Sequence, residues 1–290
     1  MKMKFVLFAG FLFMSSIASA QFFEVGGAIG GSNYMGDLSL NTSKLYLKET
    51  NLAFGVFGRY NFSHLAAVKL AANIGSISGT DANTEFEEIR SRNLSFQSSI
   101  IDAALTLELN VPGFQPYNLS RPISAYVFAG IGFSYTQPRA FYNGAWHALQ
   151  PLGTEGQGAA GFGPLYARGA LAIPFGLGIK YAIRDKVGVG LELGARRSFS
   201  DYLDDVSGDY ADYDLLLANN GDLAAALSNR TGEFLGINEP IILEPGTPRG
   251  DAFAADWYFL LQATVSYYFL DNGLVGNRKR NRRKQGCQTF

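Results

Sequence analysis

From Phe22 to Phe269 the chain repeatedly alternates bulky apolar residues with glycine, small or charged ones. Successive side chains of a strand point to opposite faces, so this rhythm calls for strands with one apolar and one polar face. Eight segments carry it: Phe22–Gly31, Leu52–Phe62, Leu65–Ile77, Asn93–Asn110, a fifth through Ala125–Tyr135, Leu171–Arg184, a seventh from Val187, and Trp257–Phe269. In the sixth, Leu171, Ile173, Phe175, Leu177, Ile179, Tyr181 and Ile183 oppose Ala172, Pro174, Gly176, Gly178, Lys180 and Arg184. Pro174 lacks an N–H for the ladder and is expected at a bulge or at the strand's outer end. Leu260 is the exception in the eighth segment, an apolar residue on the polar face.

A soluble antiparallel sandwich would alternate too, and the connectors separate the two folds. Those after the first, fifth and seventh segments are long, whereas Ser63-His64 and Asp185-Lys186 are tight turns. Outer-membrane barrels show this bias, with short periplasmic turns and long outer loops. Charged residues make up 17% of the chain, below the roughly 25% of soluble domains. No apolar run long enough for a spanning helix follows the N-terminus. A net charge of -1 gives no whole-chain argument for binding nucleic acid. The expected fold is all-β: an eight-stranded antiparallel transmembrane β-barrel with long extracellular loops and a short periplasmic C-terminal tail.

Eight strands leave an interior only wide enough for side chains. Glu24, Asp102, Glu108 and Glu192 are expected to meet Arg59, Lys69, Lys180 and Arg196 there, as a lumen charge network that neutralises and plugs the barrel. Conduction is therefore not expected.

Lys2 and Lys4 precede an apolar stretch, Phe5–Phe13, and Ala18-Ser19-Ala20 offers small residues to a signal peptidase. Residues 1–20 read as a signal peptide, 21–270 as the barrel and 271–290 as a basic periplasmic tail. Catalytic chemistry finds little support. Two histidines and one cysteine cannot build a Cys/His metal site. His64 reads as a solvated turn residue and His147 as a loop residue, and neither has a defensible place beside Ser95 or Ser98. No enzyme activity and no cofactor are expected. The loop with Asp201, Asp204, Asp205, Asp209, Asp212 and Asp214 could offer some oxygen ligands to calcium but lacks the EF-hand order. It reads as a solvated acidic loop, and Tyr202, Tyr210 and Tyr213 within it also suit protein contact.

Several motifs carry a family resemblance. They are Gly30-Gly31-Ser32-Asn33-Tyr34-Met35-Gly36-Asp37-Leu38, Tyr126-Val127-Phe128-Ala129-Gly130-Ile131-Gly132, Leu149-Gln150-Pro151-Leu152-Gly153-Thr154-Glu155-Gly156-Gln157, Ile173-Pro174-Phe175-Gly176 and Phe199-Ser200-Asp201-Tyr202-Leu203-Asp204-Asp205-Val206-Ser207. In this order they resemble the PorG-type outer-membrane β-barrel of the type IX secretion system, across essentially the whole mature chain. The resemblance implies a non-enzymatic component of a protein secretion and gliding apparatus. It also implies a periplasmic partner, a ring built from a lipoprotein and a second subunit, and it makes the barrel no translocating pore. The runner-up is a small receptor, adhesin or transport barrel whose outer loops bind an external ligand.

No motif names a ring-binding residue, so the contact is argued from the tail. Arg278, Lys279, Arg280, Arg282, Arg283 and Lys284 form a basic run suited to an acidic surface, unless it merely brushes anionic headgroups. Cys287 has no partner cysteine in its own chain. In an oxidising compartment such a thiol stays free, pairs with another protein or is damaged. The expectation is a disulfide from Cys287 to a ring subunit, most plausibly the lipoprotein.

Overall fold

The computed structural model describes residues 22–39, 47–116, 122–184, 186–237, 239 and 241–269. Among the described residues nine strands form: β1 (Phe22–Met35), β2 (Asn51–Asn61), β3 (Ala66–Thr80), β4 (Ser95–Val111), β5 (Ile123–Tyr142), β6 (Ala145–Ala148), β7 (Gly169–Arg184), β8 (Val187–Ser198) and β9 (Trp257–Phe269). All pairings are antiparallel, in the order β4-β3-β2-β1-β9-β8-β7-β5, and β4 pairs back to β5. The ring closes with eight strands. It leaves no unpaired edge, which is the condition for placing strands in hydrocarbon. β6 lies outside the ring as a hairpin partner of β5.

Outward positions are apolar and open. Ile131 is 70% exposed, and Leu70, Val56, Leu105 and Leu177 share that outer surface. Aromatic residues mark both margins: Phe23 with Phe269 and Tyr267 at one, Phe175 with Trp257 at the other. From Trp257 to Phe269 is about 40 Å of strand at ~3.3 Å per residue, which a ~40° tilt reduces to about 30 Å, the thickness of a hydrocarbon core. The outer face is built for lipid.

Pro174 corrects one expectation. It sits inside β7 and produces neither a bulge beside β5 nor a strand end. Pairing with β5 lapses between Ala129↔Phe175 and Gly132↔Ala172 and resumes in the same register. Proline removes a ladder donor, and the ring tolerates that local gap because Pro174 still faces Arg196 on β8. Glycine has a steric role here as well. A Cβ at Gly130 would stand 2.0 Å from the Leu105 carbonyl oxygen, so only a bare backbone allows the strands to approach so closely.

Both chain ends of the ring and the short connections lie at one rim, the turn end. The long connections lie at the other, the loop end, where two of the connections carry short α-helices. α1 (Glu87–Arg92) follows β3, and α2 (Tyr213–Asn220), α3 (Asp222–Ser228) and α4 (Thr231–Leu235) lie between β8 and β9. The Asp212 carboxylate caps α2 by accepting from the Leu215 amide at 2.9 Å. Loop residues Leu38, Leu94, Leu149, Leu203, Val206 and Leu227 pack with barrel residues Tyr34, Ile77, Phe96, Ile100 and Tyr258 into one buried cluster. The loops form a cap rooted in the barrel mouth.

Candidate functional site

The interior is layered from the turn end to the loop end. At the turn end, Phe114 folds inward from the β4–β5 connection and meets Phe22 at 6.4 Å and Tyr268 at 5.9 Å between ring centroids. Above this aromatic floor lie Glu24, Arg59, Lys69, Glu108, Lys180 and Glu192, all buried. Alternation places them there, since each sits on the inward face of its strand.

Glu108, 0% exposed, is the centre of the charge layer. Its carboxylate lies 2.9 Å from Arg59 Nε, 3.3 Å from Lys180 Nζ and 3.7 Å from Lys69 Nζ. The Arg59 contact is an ion pair off the line of a hydrogen bond. Arg59 also donates through Nη1 to Glu24, and Lys69 donates to Glu192. One layer higher, Arg196 Nη2 lies 3.8 Å from Asp102. The eight residues expected to pair in the lumen thus come together, four carboxylates with four cations. Such burial is tolerable because each charge has an opposite charge beside it.

Sequence reasoning missed the neutral members. Tyr126 donates to Glu192 at 2.7 Å, Tyr258 to Asp102 at 2.9 Å and Asn73 to the same Asp102 at 2.7 Å, while Gln262 donates to Asn73. Lys180 lies 4.8 Å from the Tyr126 ring centroid and 4.9 Å from that of Phe114, in cation–π contact with both. Inward parity alone would have found them. Leu260 faces inward too and is buried, opposite Ser32 and Gly194 on the neighbouring strands.

The cap corrects the picture of a solvated acidic loop. Asp209, Asp212 and Asp214 are exposed, but Asp204 and Asp205 are buried. Burial is possible because partners from three distant segments converge on them. Asp205 accepts from Thr154 and from Tyr166, and Arg249 donates to Glu155 at 2.8 Å and to the Asp205 carbonyl at 2.7 Å. Burial pushes the Asp205 carboxyl up to about 6, with Arg249 opposing. It pushes Asp201 up to about 7.

Tyr34 Oη stands 2.7 Å from Asp204 Oδ2 and 2.7 Å from Asp256 Oδ1. A phenol has one hydrogen to give, so one of the two contacts needs a carboxylic acid that donates to Tyr34. Both carboxyls are raised well above the usual range, first by burial and then by neighbouring carboxylates, Asp37 for Asp204 and Asp204 for Asp256. The pair therefore holds a proton.

Among the described residues, no group of three or more His, Cys, Asp or Glu side chains is arranged to hold a metal. His64 is half-buried, and its carbonyl accepts from the Phe114 amide at 2.7 Å. His64 sits in the turn between β2 and β3, as expected, and it is the backbone there that ties the turn to the aromatic floor. His147 Nε2 is 3.2 Å from the Tyr142 carbonyl oxygen. Ser98 is spent on backbone contacts to Gln137 and Ser99, and Ser95 receives a long contact from Arg230. Neither serine is hydrogen-bonded to a histidine. The signal peptide at 1–20 and the tail residues Arg278, Lys279, Arg280, Arg282, Arg283, Lys284 and Cys287 lie outside the described residues.

Closure, an apolar belt and an interior filled by its own charges define a transmembrane β-barrel of the outer-membrane type. The chain belongs to the family described as Domain of unknown function (DUF6089), whose model matches residues 2–148. Curated proteins gave no match. Among solved structures, the chain is similar to Ail, the attachment invasion locus protein of Yersinia pestis, at 9% identity and TM-score 0.40, over 87% of this chain and 100% of that one. It is also similar to Neisserial surface protein A, at 8% identity and TM-score 0.39 over 85% and 97%. A third is outer membrane protein W of E. coli, at 14% identity and TM-score 0.34 over 87% and 100%.

Proposed function

We propose that this protein is a non-enzymatic outer-membrane component of the type IX protein secretion and gliding machinery, an anchor whose loop end faces outward and whose turn end holds a periplasmic ring. The observation that carries the reading is where the resembling motifs lie in the fold. Tyr34 from the first, Thr154 and Glu155 from the third, and Asp204 and Asp205 from the last build one buried network in the cap. Tyr126, from the second, belongs to the lumen network through Glu192. A barrel stoppered by charge pairs below and a folded cap above suits an anchor and leaves no path for cargo.

The ring contact is assigned to the tail. Its basic run, Arg278 to Lys284, docks on an acidic subunit surface, and Cys287 then forms a disulfide with a ring subunit, the lipoprotein. Detergent extraction followed by capture of this protein should retrieve the lipoprotein and its partner, with a larger band on non-reducing gels that vanishes in Cys287→Ser. A clean deletion should block type IX cargo export while other outer-membrane proteins remain. Normal export, together with capture of no ring subunit, would contradict the reading.

A second reading, a small outer-membrane receptor or adhesin, is favoured by one observation. A 470 Å³ cleft opens in the cap, lined by Asp37, Glu88, Arg92, Tyr210, Arg249 and Asp251 among others. The filled lumen disfavours a transport barrel.

A further inference from the structure

The outer wall of the barrel changes character abruptly towards the loop end. On adjoining strands Ile74, Ile101 and Tyr135 share one outward level, in register through β3, β4 and β5. One step higher the same register gives Ser76, Ser99 and Gln137, and the next gives Ser78, Gln97 and Arg139. Above these, Phe141 on β5 meets Trp146 on β6, with ring centroids 5.4 Å apart. A cleft of 270 Å³ opens on this wall, lined by Ser76, Gln97, Ser99, Arg139 and Trp146.

Arg139 is exposed, and the only hydrogen bond its side chain makes among the described residues is to Gln137 Oε1 at 3.1 Å. It forms no ion pair there, in contrast to Arg59 and Arg249. Arg168, on the far side of β5, lies over the Tyr135 ring and likewise has no carboxylate partner among the described residues. Trp146 is 53% exposed despite its edge-to-face contact with Phe141. The wall therefore offers an apolar floor at the top of the lipid belt, hydroxyl and amide groups at headgroup height, a guanidinium fork without a carboxylate partner among the described residues and an open aromatic face.

We propose that this cleft binds the phosphorylated sugar headgroup of an outer-leaflet glycolipid. Arg139 takes the phosphate, since a planar fork matches phosphate oxygens and a charge-assisted bond is strong. Ser76, Ser99 and Gln97 address sugar hydroxyls, and the Trp146 face covers the sugar ring. The acyl chains run down over Ile74, Ile101 and Tyr135. A soluble phosphate would engage Arg139 alone and would gain nothing from that floor. The site rests on the membrane-barrel reading and on no feature of the secretion role.

The full-length mature protein, reconstituted in zwitterionic phosphatidylcholine nanodiscs, should be offered a bis-phosphorylated diglucosamine lipid or its dephosphorylated form. Native mass spectrometry then counts the lipid retained. The phosphorylated form should be retained about tenfold better, and Arg139→Gln should lose about that factor, as expected for one charge-assisted contact. Trp146→Ala should weaken both forms, and Arg90→Gln, on α1 and not among the residues lining the cleft, should change neither. Excess inorganic pyrophosphate should displace little of the lipid. Full displacement would overturn the lipid assignment in favour of a free-phosphate site. Equal retention of the two lipids, or no effect of Arg139→Gln, would overturn the site altogether. Heat-modified migration on gels reports barrel folding in each variant, so loss of the barrel is distinguished from loss of the site.

Discussion

Glu108→Gln is expected to destabilise the folded barrel by about 3–5 kcal/mol, the usual cost of removing one partner from a buried ionic cluster. The change keeps shape and removes one charge. Arg59 retains Glu24 and Lys69 retains Glu192, but Lys180 has Glu108 as its sole ion-pair partner among the described residues. A lysine left charged over the Phe114 and Tyr126 rings accounts for most of the expected loss. Adding Lys180→Met should therefore recover at least half of it, since the second change removes the stranded charge. Equilibrium urea unfolding in detergent, followed by gel shift, measures both variants and their coupling. Independent, additive losses would show that Lys180 does not depend on Glu108.

Arg249→Met should release the cap while leaving the barrel folded. Arg249 joins Glu155, the Asp205 carbonyl and the Ser228 carbonyl, so it ties three loop segments together. Its loss leaves Glu155 buried without its cation, at a local cost again of about 3–5 kcal/mol. Proteolysis should then cut the segment between β8 and β9, which wild type should resist. The same assay has a pH dependence with a fixed sign. Asp205 and Asp201 have folded values of about 6 and about 7, above the ordinary aspartate value of roughly 3.9. The folded cap thus binds more protons than the released one in that window. This contribution is fully present below about pH 4 and is lost as pH rises through 6 to 7. Loop protection should be greater at pH 5 than at pH 8. Equal protection at both values would mean that these carboxyls do not control the cap.

The ring and its interior were legible because a strand reports its geometry locally. Every second residue shares a face, so Glu108 on one strand and Lys180 on another are assigned to the lumen without knowing their partners. The last strand, Trp257–Phe269, has the bounds that alternation implies. β4 begins two residues later than Asn93, which instead adopts φ 58° as the left-handed residue closing α1. The long connections were not legible in the same way. β5 runs on to Tyr142 and turns back through β6, and this extension carries the Arg139 and Trp146 wall.

The cap was harder still. In α2 the leucines 215–217 are consecutive and wrap around the helix, so no apolar stripe announces it. Tyr34 meets Asp204 across 170 positions and Asp256 across 222, and no periodicity encodes such a contact. The acidic run therefore looked solvated, because its burial depends on a proton and on an arginine far along the chain. Local pattern reveals faces, while convergence of loops is visible only in three dimensions.

The central claim is that the barrel is a filled, capped support and not a channel. Single-channel recording of the purified protein in planar bilayers tests it most directly. The account predicts no large steady conductance over the pH range in which Glu108 and its cations stay paired. Stable openings of porin size would contradict it and would return the chain to the transport reading.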